Sequence, residues 1–394
     1  MDVDRPRRPT GSTLPRGDRS MNVLVVTSHR PWELTEPLET TDVSVTTLEI
    51  DASRSLVQRT IDTVRGLYRE FRGDRPDIVV VDVYEVSGLL TLLFSRLART
   101  NVVVRLVGDR TGGVLLDQIQ SARASGDRRS ELVYRLMYLL SSVVISNADG
   151  AIVVSTDLKR TLCSRGTFRP ERVAVVPVPF RMETLSDGGN TVDTNRRQLV
   201  QEEQVAEPRT RLLTVTNLKY QSKYDGVRTI LSEITPLLGT HEDLEYVIAG
   251  GGVFEDRLRR DVIERLPPSI RERVTVTGYV EDVTSLYRSA DIFVYVSYLD
   301  GYPNAVLEAQ GMGLPVVANE DFGMVDQIQD GETGLLVDPD ESGALRNAVE
   351  RLLESPDEGR RLGENARNRV DTENAVSVIG TQLVSALCRL RSAR

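Results

Sequence analysis

Asp300 and Glu308 stand at the two ends of the segment Asp300-Gly-Tyr-Pro-Asn-Ala-Val-Leu-Glu308. Gly301 permits close approach of the backbone, and Pro303 suits the first turn of a helix. A helix beginning there exposes free N–H groups and the positive end of its dipole, a ready site for a diphosphate. Asp300 precedes that helix and Glu308 lies well inside it. One carboxylate can therefore meet hydroxyls beside a phosphate while the other reaches hydroxyls farther along the same ligand. The paired hydroxyls of a ribose or hexose suit such acceptors, since each can donate to one oxygen.

A second constellation is Thr216-Asn-Leu-Lys219-Tyr-Gln-Ser-Lys223-Tyr-Asp-Gly226. Of 49 basic residues in the chain three are lysine (Lys159, Lys219 and Lys223), so two of the three fall in this segment. It follows an apolar run and reads as a loop facing the same cleft. A fixed ammonium there suits a phosphate group of the same ligand. The alternative, a solvated loop lysine, weighs more for Lys219 than for Lys223. Gly250-Gly-Gly252 fails as a dinucleotide fingerprint because Glu255 occupies the third glycine's place, and reads as a tight turn at the cleft. Asp338-Pro-Asp340 reads as a turn, Cys163 and Cys388 have neither zinc nor disulfide spacing, and no metal motif is evident.

These residues need elements to hold them. Apolar, β-branched runs alternate with amphipathic segments throughout, which predicts parallel sheets covered by helices. Strands are expected at Asn22–Thr27, Val43–Glu49, Ile78–Val83, Val102–Val107, Gly150–Val154 and Val173–Val178. Helices include Ser53–Phe71 and Ser130–Ser142. A second series is expected at Leu212–Thr216, Leu244–Ala249, Val274–Thr277, Ile292–Val296, Pro315–Ala318 and Gly334–Val337. A helical stretch from Glu341 to about Arg369 follows, then another helix from Glu373 to Arg389. The fold class is α/β, with two doubly wound Rossmann-like domains facing a central cleft, where such sheets bind ligands. The expected organisation is a disordered leader at 1–20, a first domain at 21–182, a polar linker at 183–210, a second domain at 211–372 and a C-terminal helix at 373–394 packing back on the first domain.

A net charge of −9 argues against nucleic acid as a partner. No run of about 20 apolar residues spans a bilayer, and the first twenty residues lack the apolar core of a secretory signal. Arg123, Arg128, Arg129 and Arg135, interleaved with Leu132, Leu136, Met137, Leu139 and Leu140, form a basic amphipathic pattern of the kind that lies against anionic lipid. A packed core helix is the weightier alternative. The expected location is cytoplasmic, with contact at the inner membrane face as a further expectation.

The carboxylate segment resembles the E-x7-E signature of the family 4 retaining glycosyltransferases, which have the GT-B fold. The resemblance runs over residues 211–340 in order: Asn217-Leu with the lysine segment, Ile-Ala-Gly-Gly-Gly252, Val-Thr-Gly278-Tyr-Val, Leu-Tyr-Arg-Ser-Ala-Asp291, the carboxylate segment, and Asp330-Gly-Glu-Thr-Gly334-Leu-Leu-Val. It implies that Glu308 holds the donor's ribose hydroxyls and that Asp300, where the family has Glu, contacts the transferred sugar from a side chain roughly 1 Å shorter, one methylene's worth. The backbone of Gly301, Tyr302 and Pro303, up to Asn304, would approach sugar and phosphates. Gly251 would lie on the donor side, and Gly278, Tyr279 and Val280 beside the base. Lys223 best matches the family's lysine for the leaving diphosphate. Asn217 replaces its arginine, and Lys219 is a substitute for the lost charge.

In the first half the resemblance thins. Thr27-Ser-His29-Arg-Pro-Trp32 replaces a Gly-rich loop, and Gly108 stands where a histidine is expected before Asp109. His29 and Asp109 are acceptor-side candidates, against structural roles for His29 and helix or turn capping for Asp109. The implied activity is metal-independent transfer of a hexose from a UDP- or GDP-sugar, a substrate rather than a cofactor, to a glycan or lipid-linked acceptor. The alternatives are a nucleotide-sugar epimerase or hydrolase on the same fold, and a non-catalytic nucleotide-sugar-binding protein.

Overall fold

The computed structural model of the chain describes residues 20–124, 126–181 and 209–392. The expected leader, apart from Ser20, and the expected linker, apart from Arg209 and Thr210, lie outside the described residues. The first half runs β1 (Asn22–Thr27), α1 (Trp32–Glu39), β2 (Ser44–Glu49), α2 (Leu56–Arg72), β3 (Ile78–Asp82), α3 (Val86–Ala98), β4 (Asn101–Leu106), α4 (Leu115–Ala124), α5 (Arg128–Ser146), β5 (Gly150–Val153), α6 (Thr156–Ser164) and β6 (Val173–Val175). The second half runs β7 (Thr210–Val215), α7 (Gln221–Thr240), β8 (Leu244–Ala249), α8 (Glu255–Asp261), α9 (Pro268–Arg271), β9 (Val274–Gly278), α10 (Thr284–Ser289), β10 (Ile292–Tyr295), α11 (Asn304–Gly311), β11 (Val316–Asn319), α12 (Met324–Gln327), β12 (Leu335–Val337), α13 (Ala344–Glu354), α14 (Pro356–Glu373) and α15 (Val376–Ser392).

Every strand pairs in parallel, in the orders β2-β1-β3-β4-β5-β6 and β12-β11-β10-β7-β8-β9. Both sheets are covered on both faces, which is why their strands are apolar without alternation. Val23 and Val25 of β1 pack with Leu34 and Leu38 of α1 and with Ile379 and Leu383 of α15. Leu24 and Val26 point the other way, toward Leu67 of α2, Leu92 of α3 and Val144 of α5. In the second half Leu212 meets Ile230 and Ile234 of α7, while Leu213 meets Tyr287 of α10 and Val306 of α11.

Local chemistry accounts for the differences from the expected spans. The helix expected from Ser53 starts at Leu56 because Ser55 and Gln58 form a capping box. The helix expected at Ser130–Ser142 is longer, capped by the Asp127 side chain on Ser130 N at 3.1 Å. The sixth strand ends before Val178 because Pro177 has no N–H to continue the ladder. The single helical stretch expected from Glu341 is two helices, since Pro356 disfavours helical geometry at Ser355 and starts a new helix itself.

α15 leaves the second half and closes the back of the first sheet. Its Gly380 lies so close to α1 that an added Cβ would sit 2.0 Å from the carbonyl oxygen of Pro37. Gly380→Val should therefore lower the unfolding free energy by about 1–3 kcal/mol, as overpacking against backbone does, read from urea denaturation.

Candidate functional site

In each sheet the strand order reverses once, between β1 and β3 in the first and between β7 and β10 in the second. Loops leaving the carboxyl ends of such strand pairs diverge and leave a crevice. The two crevices open onto one cavity of about 600 Å³, lined by Ser28 to Arg30 and Asp82 from one sheet and by Thr216, Asn217, Tyr295 and Asp300 from the other. That volume is in the range of small-molecule sites.

Lys223 does not lie in a loop. Gln221 already starts α7, and Lys223 sits buried in its first turn. Its ammonium donates to Asp300 Oδ2 and to the Tyr295 hydroxyl, and Tyr295 in turn donates to Asp300 Oδ2 at 2.7 Å. The lysine and the carboxylate, expected to hold different parts of a ligand, are thus a resting ion pair. Both contacts converge on Oδ2 of Asp300, a residue that lines the cavity. Burial, then the Asp300 charge, pushes the Tyr295 phenol well above its ordinary range, which keeps it a neutral donor.

Glu308 accepts from the Tyr287 hydroxyl at 2.9 Å, one turn inside α11, and lines the cavity. Burial raises its pKa, opposed by the Tyr287 hydrogen bond and by the Arg30 charge. α11 begins at Asn304, with Pro303 as the residue before it rather than within its first turn. The first intrahelical bond runs from Leu307 N to Pro303 O at 3.2 Å, so the N–H groups of Asn304, Ala305 and Val306 have no helical partner. Those amides start at the cavity wall, where Pro303, Asn304 and Ala305 are lining residues.

Gly301 makes its close approach to protein. An added Cβ would lie 2.3 Å from the Val107 carbonyl oxygen, so the loop after β10 is pressed against the loop after β4. Tyr302 lines the cavity, but its ring packs in the first half's core and its hydroxyl accepts from Asn374 Nδ2 at 3.1 Å. Asn217 and His29 line the cavity. Lys219, Gly251, Gly278, Tyr279 and Val280 do not. Several of them gather at the ends of β8 and β9, where Gly250 N bonds Gly278 O at 2.8 Å, Leu218 N bonds Gly251 O at 3.0 Å, and Tyr279 is 82 % exposed. Asp109 lines a neighbouring cavity of about 400 Å³; it accepts from Gly112 N at 2.8 Å and pairs with Arg165 at 2.7 Å, the geometry of a turn cap.

Four charged residues of the first half were not among the expected site residues. Arg105 on β4 is 4 % exposed and donates to Glu33 Oε2 at 2.6 Å and to Asp82 Oδ2 at 3.3 Å. Arg30 reaches the other oxygen of Glu33 at 3.2 Å. All four line the cavity. The signal for them was an arginine inside Asn101-Val-Val-Val-Arg-Leu106 and an aspartate closing Ile78-Val-Val-Val-Asp82. Among the described residues no group of three or more His, Cys, Asp or Glu side chains is placed to hold a metal ion.

Residues 209–355 match the family model described as glycosyl transferases group 1, and residues 16–179 match that of a glycosyl transferase 4-like domain. The capsular polysaccharide biosynthesis glycosyltransferase CapM of Staphylococcus aureus is 20 % identical over 256 residues, 64 % of each chain. The alpha-D-kanosaminyltransferase of Streptomyces kanamyceticus is 31 % identical over 160 residues, 40 % of this chain and 41 % of its own. The chain thus matches less than two thirds of either relative's length. HepE of Anabaena, solved with UDP-glucose, superposes with a TM-score of 0.66 at 18 % identity, covering 93 % of this chain and 99 % of that one. The sucrose-phosphate synthase of Thermosynechococcus elongatus gives 0.68 at 17 %, covering 95 % and 100 %. The architecture is that of the GT-B fold.

Burial pushes the Asp82 carboxyl up to about 6, against the opposing pull of Arg105 and with a smaller push from Glu33. A carboxyl that binds its proton more tightly when folded stabilises most below its unfolded value near 3.8, and that contribution is lost as pH rises through about 6. The unfolding free energy of the wild type minus that of Asp82→Asn should fall by on the order of 3 kcal/mol between about pH 4 and about pH 7 in urea titrations. A flat difference would contradict the buried triad.

Proposed function

The chain belongs to the group 1 glycosyl transferases, and we propose on that footing that it moves a hexose-type sugar from a UDP- or GDP-sugar to a glycan or lipid-linked acceptor, with retention of configuration. The observation that carries this reading is the meeting, in one cavity, of the free amides at the start of α11, the Lys223–Asp300 pair and Glu308. In this reading residues 211–372 bind the donor and residues 21–182 the acceptor. The solved complex of HepE with UDP-glucose favours a uridine donor.

The diphosphate settles against the amides of Asn304 to Val306, where the helix dipole favours negative charge. Glu308 accepts from the ribose hydroxyls, and its bond from Tyr287 fixes its other oxygen. Lys223 shares its ammonium between Asp300 and the β-phosphate as charge builds there, and Asp300 Oδ1 accepts a hydroxyl of the sugar. The bond from the anomeric carbon to the β-phosphate oxygen breaks. The acceptor oxygen bonds to the same face of that carbon through an oxocarbenium-like state, and the acceptor proton passes to the departing phosphate. In this reading no metal ion takes part.

The first half also carries a face suited to anionic lipid, which bears on a lipid-linked acceptor. No helix among the described residues is long and apolar enough to cross a membrane. On α5, however, Leu132, Leu136 and Leu139 are exposed, and neighbouring α3 adds Leu93 and Leu97, the last 77 % exposed. Exposed Arg128, Arg129 and Arg135 accompany them on a chain that is acidic as a whole. In this reading the helices lie on the bilayer surface and keep the cavity open to its acceptor.

Glu308→Ala should abolish transfer and weaken nucleotide binding, whereas Lys223→Ala should lower kcat by about 10²–10³ with a smaller effect on donor KM. Both are measured by sugar transfer from UDP-glucose or another nucleotide sugar in the presence of EDTA, and near-normal kinetics in Glu308→Ala would defeat the site. For the lipid face, the wild type should sediment with vesicles containing phosphatidylglycerol. It should not sediment with pure phosphatidylcholine, and Leu132→Ser with Leu136→Ser should release it.

A further inference from the structure

The cavity wall carries four acidic side chains, Glu33, Asp82, Asp300 and Glu308, against three basic ones, Arg30, Arg105 and Lys223. A diphosphate entering a wall with that balance needs a cation able to leave its carboxylate. Arg105 has a 5 % exposed side chain locked between Glu33 and Asp82. Lys223 has a 7 % exposed side chain held by Asp300. Arg30 differs: its side chain is 42 % exposed and pairs with Glu33 Oε1 at 3.2 Å, while Glu33 Oε2 is already held by Arg105 at 2.6 Å. Arg30 can therefore turn away without leaving Glu33 unpaired.

Of the three non-glycine residues at positive φ among the described residues, Arg30, Arg99 and Phe322, Arg30 is the one that lines this cavity. Arg30 has φ +46°, in the left-handed region that a side chain rarely adopts and glycine adopts freely. The turn is fixed on both sides: Thr27 Oγ1 donates to His29 O at 3.0 Å, and Glu33 N donates to Arg30 O at 3.1 Å. A long cationic side chain thus occupies a position where glycine would be relaxed, which points to a use for the side chain. It lines the same cavity as Asn304, Ala305 and Glu308 of α11.

We infer that Arg30 is a second phosphate-holding cation of the site, supplied by the first half of the chain, which exchanges Glu33 Oε1 for the β-phosphate of the donor when the cleft fills. This rests on the donor site described under the proposed function. Because the amides of α11 come from the second half, one diphosphate then contacts both halves, and donor binding holds them together. A guanidinium suits the task, as its fork can take two phosphate oxygens while the distance across the cleft changes.

The test is calorimetric titration of the full chain with UDP, GDP and UMP, for the wild type, Arg30→Gln, Arg30→Lys and Arg30→Gly. Arg30→Gln should weaken the preferred diphosphate about 10–100-fold, the range of a lost charge-assisted bond, and leave UMP within about twofold. Arg30→Lys should lie between it and the wild type. Arg30→Gly relieves the turn and should keep the unliganded melting temperature of the wild type while losing diphosphate affinity as Arg30→Gln does. A wild type that binds neither UDP nor GDP would overturn the donor site and this inference together. A wild type that binds one of them, with Arg30→Gln binding it equally well, would overturn the role of Arg30 alone.

Discussion

Parallel pairing is the constraint from which the rest of the molecule follows. A parallel strand must be followed by a crossover, so every loop at a carboxyl end collects along one edge of its sheet. Here two such edges face each other. The loops after β1 and β3 meet those after β7 and β10 because each sheet reverses its strand order at those strands. Gly301 sets how near the edges come, since its missing side chain lets its backbone touch the Val107 carbonyl.

Within that frame the charged groups are arranged to compensate one another at rest. Lys223 is held by Asp300 and Tyr295, and Arg105 by Glu33 and Asp82. Burial keeps Tyr295 and Tyr287 neutral, so each can donate to a carboxylate without adding charge. An isolated buried charge would be far more costly than these shared ones. The same sharing keeps Asp300 and Glu33 at the cavity wall.

How far the sequence disclosed this depends on which residues determine each feature. The βα series was legible because buried parallel strands must be apolar, and runs such as Ile78-Val-Val-Val-Asp82 carry that signal locally. The Asp300 to Glu308 segment was legible for the same reason: strand end, turn and helix start adjoin in the chain. The lysine segment was misread as a loop because α7 starts after Tyr220 with no side-chain cap to announce it. The Glu33–Arg105–Asp82 triad could not be assembled from spacing, as its members are 72 and 23 residues apart. The register of β3 on β4, with Val81 opposite Val104, is what sets Asp82 beside Arg105. Register is a property of the folded sheet, and no single stretch of sequence contains it.

Because α15 seals the back of the first sheet, the order of synthesis matters for this chain. Val23, Val25, Ile78 and Val80 share their cluster with Ile379, Leu383, Leu387 and Leu390, which are made only after the whole second sheet. Until those turns emerge, the first sheet holds an apolar flank without its cover, and the early half waits for the late one. Maturation of the two halves is therefore coupled through a helix that takes no part in lining the cleft.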